Sequence, residues 1–383
     1  MTDAETLRSM VDQTRRLVRE ELIPAEDWVE EHDDIPDHIV ARLRQFGYFG
    51  MTIPEEYGGL GLSMFEEATV VCEIGYASPV FRSYFGTSNG VGTLGIIVDG
   101  TEEQRKKYLP RIAAGELVAS FCLTEPGAGS DAASLTTRAA RDGNDYVING
   151  TKRFTTNSPH AGIFTVFART GPKEQKTSGI SAFLVERDTP GITIGPRNKK
   201  MGFRGAHTAD VIFENCRVSA AALLGGREGV GFKTAMKSLD HARLHMSAVA
   251  TGLSERIIDE GIQYATERVQ FGSPIASFQL IQGMLADCEA EALASRSMVE
   301  RVARMRDDGW PVTKETACCK YFTTEALGRI ADRVMQIHGG YGYIKEYPIE
   351  RLFRDARLLR IYEGTSQIQQ LIIAREMLKE KVT

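Results

Sequence analysis

An α+β chain in three segments is the fold class this sequence predicts, and three observations lead to it. Apolar residues recur at helical spacing up to about residue 117, short β-branched and aromatic runs replace them to about residue 228, and long helical patterns return to residue 383. Helices and strands are thus segregated rather than alternating. We expect a helical domain over 1–117, a small β domain over 118–228 and a helical bundle over 229–383.

In the first segment Leu7, Met10, Val11, Leu17 and Val18 share a helical face, and 54–61, rich in proline and glycine, reads as a loop. In the second, 146–148, 163–167, 180–185 and 211–213 read as strands separated by Gly, Asn, Asp and Pro. In the third, Ile281, Leu285, Cys288 and Ala292 line one helix face, and Phe322, Ala326, Ile330, Val334 and Ile337 another. No GxGxxG joins a strand to a helix, so a doubly wound dinucleotide fold is not expected.

Composition narrows the function. The 383 residues exceed what one hydrophobic core usually serves, and 42% hydrophobic with 25% charged residues is ordinary for a globular protein. A net charge of -5 leaves no basic stripe for nucleic acid. The six cysteines (Cys72, Cys122, Cys216, Cys288, Cys318, Cys319) form no CxxC pair or Cys/His cluster, which points away from zinc and disulfides and toward a reducing compartment. The first ten residues include acids and lack an apolar core, and no apolar run nears bilayer length, so we read the chain as cytoplasmic, with no membrane partner.

Five segments carry residues that core packing does not require. In Phe121-Cys-Leu-Thr-Glu-Pro-Gly-Ala-Gly-Ser-Asp131 a tight loop exposes backbone N–H groups beside the hydroxyls of Thr124 and Ser130, which suits a flat or phosphorylated ligand; it also suits a plain turn. Phe154 and Thr156 lie two residues apart, on one face if extended, as for a ring lying against a strand or for an ordinary edge strand. Arg268, in Glu267-Arg-Val-Gln-Phe-Gly-Ser-Pro-Ile275, follows a helix, where a cation serves either a phosphate or the helix dipole. Gly339 and Gly340 admit a close ligand or end a helix. Glu363, between Tyr362 and Gly364, is the most informative. In an apolar pocket its pKa would rise and it would act as a base; at a helix N-terminus it would only answer the dipole.

In this order, Leu123-Thr-Glu-Pro-Gly-Ala-Gly-Ser-Asp131, Glu267-Arg-Val-Gln-Phe-Gly272, Gln336-Ile-His-Gly-Gly340 and Tyr362-Glu-Gly-Thr-Ser-Gln-Ile-Gln369 resemble the acyl-CoA dehydrogenase family over nearly the whole chain. The resemblance implies an N-terminal helical domain, a central β domain and a C-terminal four-helix bundle, assembled as a homotetramer with FAD. By position it implies that Phe121, Leu123, Thr124, Gly129 and Ser130 line flavin and substrate, and that Phe154 and Thr156 flank the reactive ring. Phe154 departs from the tryptophan of many relatives. Arg268, Phe271, Gln279, Gln336, Gly339 and Gly340 would reach FAD, some across a subunit interface, and Thr365 and Gln367 its adenosine side. Asp240, Arg243 and Gly364 would contact the acyl-CoA. Some relatives carry the base just before that arginine, but Ala242 stands here, which leaves Glu363.

The implied reaction is α,β-dehydrogenation of an acyl-CoA thioester to a trans-2-enoyl-CoA, with electrons passing to an electron-transfer flavoprotein. The family assigns stabilisation of the thioester oxygen to the Glu363 N–H and a ribityl hydroxyl of FAD. Phe81-Arg82-Ser83 resembles the stretch with which glutaryl-CoA dehydrogenases hold a distal carboxylate. Arg82 is thus a candidate substrate residue, against a structural arginine facing solvent or a neighbouring acid. Dicarboxylyl-CoA dehydrogenase or decarboxylase, desulfinase, acyl-CoA oxidase and a non-catalytic assembly module are the alternatives.

Overall fold

The computed structural model describes residues 3–379; residues 1–2 and 380–383, at the outer ends of the first and last predicted segments, lie outside the described residues. The Asp3 carboxylate caps α1 (Ala4–Leu17) by accepting from the N–H groups of Glu5 and Thr6, and a π-helical turn, Val18–Leu22, runs straight into α2 (Ile23–His32). Then come α3 (Asp37–Gln45), α4 (Met64–Gly75), α5 (Pro79–Asn89), α6 (Leu94–Asp99) and α7 (Glu102–Ala113). The start of α4 is fixed twice, by the Ser63/Glu66 capping box and by Asp307, whose carboxylate accepts from the N–H groups of Met64 and Phe65 at 2.8 Å.

Seven strands follow in one curled sheet: β1 (Ala119–Cys122), β2 (Arg138–Asp142), β3 (Asp145–Thr156), β4 (Ile163–Arg169), β5 (Ile180–Glu186), β6 (Ile192–Ile194) and β7 (Thr208–Ser219). Strand β4 is parallel to β1 and antiparallel to β5, while β3 pairs antiparallel with β2 and β7. All four predicted strand runs fall inside these elements. Between Lys152 and Thr155 the β3 register slips, and Phe154 takes φ 54. This bulge, not the regular extension expected from sequence, sets where Phe154 points.

The C-terminal part begins with α8 (Gly231–Glu267), about 55 Å long at 1.5 Å per residue. A short hairpin, β8 (Val269–Gln270) and β9 (Ser273–Pro274), turns at Phe271 and Gly272 with φ 52 and 81. Helices α9 (Gln279–Asp307), α10 (Thr313–His338), α11 (Ile349–Leu359) and α12 (Ser366–Lys379) complete it. Every residue of α8 over 241–254 is buried, which makes it a central helix rather than an amphipathic one. Its hydroxyls cost little there because Ser247, Thr251 and Ser254 each donate to the carbonyl four residues earlier. One apolar core joins α1–α5 to α8–α11, so the two helical parts share an interior.

Candidate active site

Where the sheet meets α5, α8 and α12, the chain encloses a cavity of about 630 Å³. Residues from all three predicted segments line it. From β1 comes Phe121, from the loop after it Leu123, Thr124, Gly129 and Ser130, from β3 Phe154 and Thr156, from α5 Arg82, from α8 Asp240, Ala242 and Arg243, and before α12 Glu363 and Gly364. The loop over 123–131 is rigid for an electrostatic reason. The buried Lys152 ammonium donates to Glu125 at 2.7 Å and to the Leu123 carbonyl, and Glu125 also accepts from the Thr136 and Thr137 N–H groups. Burial alone would raise the Glu125 carboxyl, but Lys152 and these donors hold it down at about 2.

Glu363 sits in the loop between α11 and α12 with φ 56, a left-handed conformation that costs a glutamate about 1 kcal/mol or more. The loop is held by its carbonyls. Arg243 Nε donates to Glu363 O at 3.4 Å, Lys320 Nζ to Gly364 O at 2.8 Å, and the Gln369 amide reaches both at 3.3 and 3.0 Å. Among the described residues no hydrogen-bond donor meets the Glu363 carboxylate. Burial raises its pKa, while Arg82, Arg243 and Lys320 pull the other way. The surroundings are therefore less apolar than the sequence suggested, and the net direction is still that of a base. A helix N-terminus acting on this carboxyl would have lowered it.

Arg82 is buried, 6% exposed, and among the described residues makes no ion pair with an acid. Its Nε–H donates instead to His245 Nε2 at 2.6 Å. Arg243 is committed on one side, donating to Asp240 at 2.6 Å, so in this chain it props the Glu363 loop as well as bordering the cavity.

The other predicted cofactor residues lie elsewhere. Arg268, Phe271, Gly339 and Gly340 border a separate groove at the end of the C-terminal bundle, where the Arg268 guanidinium lies 5.1 Å over the Tyr341 ring. Gln279 and Gln336 are exposed outside both cavities. Thr365 accepts from the Ile368 N–H at the start of α12, and Gln367 is exposed beside it. Sequence reasoning missed Lys320, Glu67 and His245. A lysine or a carboxylate at a helical core position was the available signal, since neither is buried without a partner.

A half-buried carboxylate without a hydrogen-bond partner among the described residues, opposite a wall of aromatic and hydroxyl side chains in a helical, β, helical chain, is the arrangement of an oxidoreductase site built around a flat cofactor. The chain belongs to the acyl-CoA dehydrogenase family, whose N-terminal, middle and C-terminal domains match residues 4–116, 120–216 and 229–378. It is 43% identical to the acryloyl-CoA reductase (NADH) of Anaerotignum propionicum, over 95% of this chain and 92% of that one. It is 41% identical to an acyl-CoA dehydrogenase of Bacillus subtilis (97% of each) and 40% identical to the caffeyl-CoA reductase-Etf complex subunit CarC of Acetobacterium woodii (92% and 93%). A glutaryl-coenzyme A dehydrogenase solved with glutaryl-CoA superimposes with a TM-score of 0.93 at 32% identity, covering 99% of this chain and 96% of that one. The family consists of FAD-dependent oxidoreductases, and the cavity fits that group. Phe154 is left 59% exposed beside the Thr156 hydroxyl, and there is open space over Gly127 and Gly129.

Proposed function

We propose that the enzyme dehydrogenates an acyl-CoA thioester between its α and β carbons with Glu363 as the base, and that the acyl group carries an anionic end received by Arg82. Taking the α-proton neutralises a half-buried carboxylate, which its desolvation favours. Because Arg243, Lys320 and Gln369 already tie down both loop carbonyls, the Glu363 N–H can meet a thioester oxygen without reorganising the loop. Phe121, Leu123, Thr124, Gly129, Ser130, Phe154 and Thr156 would hold FAD, which supplies the redox chemistry. Asp240, Arg243 and Gly364 would border the acyl-CoA.

The substrate reading rests on one observation: a buried guanidinium in the same cavity as Glu363, with no carboxylate among the described residues within ion-pair distance of it. A plain fatty chain would leave the two Nη groups of that cation without a direct partner, whereas a carboxylate on the acyl group would pair with them. We expect Arg82→Ala to raise KM for dicarboxylyl thioesters about 10- to 100-fold while sparing neutral ones of equal length. Anaerobic flavin bleaching measures this, and an equal effect on both substrate sets would defeat the reading.

We further assign Arg268, Phe271, Gln279, Gln336, Gly339, Gly340, Thr365 and Gln367 to FAD contacts in a homotetramer, the first six partly across a subunit interface. An electron-transfer flavoprotein would accept the electrons, as the Etf complex of the A. woodii relative supports. Peroxide production matching substrate use would instead favour an oxidase.

A further inference from the structure

We propose that the buried pair Glu67 and His245 are positioning residues that make the acyl pocket anion-selective, by holding Arg82 through a neutral imidazole instead of a carboxylate. The inference rests on the anionic-substrate reading above and adds how the chain keeps such a cation available.

A buried arginine is normally matched by an acid in direct contact, which neutralises it and occupies its donors. Here the acid stands one residue back. His245 Nε2 accepts from Arg82 Nε at 2.6 Å and so carries no proton; the ring proton is on Nδ1, 2.5 Å from Glu67 Oε1. The Asn89 amide donates to the same oxygen at 2.9 Å. His241 Nε2 lies 2.9 Å from the other oxygen, off the line of a good hydrogen bond. Three metal-ligating groups thus meet, but at hydrogen-bond distances and with the Arg82 cation on the far nitrogen of His245, which makes the cluster a proton network. Burial and Arg82 push His245 down to about 4, so it stays neutral, while His241 and His245 outweigh burial and keep Glu67 ionised.

The consequence is geometric. Glu67 stabilises Arg82 through one imidazole, and the two Nη groups of Arg82, without a partner among the described residues, are left for the cavity. From the helix side, Gly86 lets the guanidinium lie against α5: a Cβ there would stand 2.6 Å from Arg82 Cζ. Asn89, on the same helix, reaches Glu67, so α5 fixes both ends of the arrangement.

The test uses the FAD-loaded enzyme as wild type, His245→Leu, His245→Gln and Glu67→Gln. Anaerobic flavin bleaching gives kcat and KM for dicarboxylyl-CoA thioesters and for neutral thioesters of matched length, and calorimetry gives Kd for a non-oxidisable dicarboxylyl thioether analogue. We expect His245→Leu to weaken KM and Kd for the anionic compounds about 10- to 100-fold with kcat for neutral ones little changed. His245→Gln, whose amide oxygen can accept from Arg82, should restore most of the preference. Glu67→Gln should show the same selective loss, smaller, and serves if the leucine variant does not fold. A wild type indifferent to the carboxylate overturns the proposed function and this inference together. A wild type that discriminates beside variants that discriminate equally well, or lose all substrates alike, overturns the inference alone.

Discussion

The side chains around Glu363 divide their work by charge. Glu363, the base we propose, has no hydrogen-bond partner on its carboxylate among the described residues and its carboxyl is raised by burial, so Glu363→Gln should keep the cavity and bound FAD yet lose nearly all flavin reduction by substrate; near-normal bleaching would remove Glu363 from this role. Lys320 has a different part, clamping Gly364 while buried itself. Burial lowers its pKa to about 8 from the ordinary 10.5, although Glu363 opposes this. Between those values the unfolded chain holds more protons, so stability should rise with pH from about 8 to about 10.5 and carry the full cost below 8. Relative to Lys320→Met, wild type should therefore gain up to about 3 kcal/mol across that window. Denaturant midpoints at several pH values measure it, and a constant difference between the two proteins would show that Lys320 is not held this way.

At the level of elements, the network behind Arg82 exists because α4 and α8 cross almost in contact. An added Cβ at Gly252 would stand 1.9 Å from the Cys72 carbonyl, and one at Gly75 2.7 Å from that of Val249. That crossing brings Glu67 on α4 to His241 and His245 on α8. Gly252→Ala should separate the helices and destabilise the fold by ~1–3 kcal/mol, read as a lower denaturation midpoint at unchanged m-value; wild-type stability would mean that the crossing tolerates a methyl group. The β domain is docked to α5 by Asn157, whose amide lies within 2.9 Å of Ser83 O, Tyr84 O and Thr87 Oγ1. The bulge before it exposes Phe154 while Lys152 turns inward to Glu125.

On the scale of the molecule, large apolar side chains stand uncovered on the C-terminal part: Phe271 is 96% exposed, Leu280 82% and Leu371 66%. Such a surface is expected of a subunit whose hairpin tip reaches a neighbour. Light scattering should give the mass of four chains, and Phe271→Ser should weaken FAD retention with the circular dichroism spectrum intact. A monomer that holds FAD as tightly would end the assembly proposal. Among the described residues no helix is long and apolar enough to cross a membrane. What the sequence by itself determined was the order of helical, β and helical parts, because periodicity is local, and it singled out Glu363 as the candidate base, because its motif is contiguous. It could not show that Glu363 and Phe154 adopt positive φ, or that Arg82 makes no ion pair among the described residues. Nor could it show that Lys320 reaches the Gly364 carbonyl, or that His245 and Glu67 stand behind Arg82. Those facts depend on which helices cross and how closely, and residues 178 positions apart become hydrogen-bond partners only when a glycine lets two backbones meet.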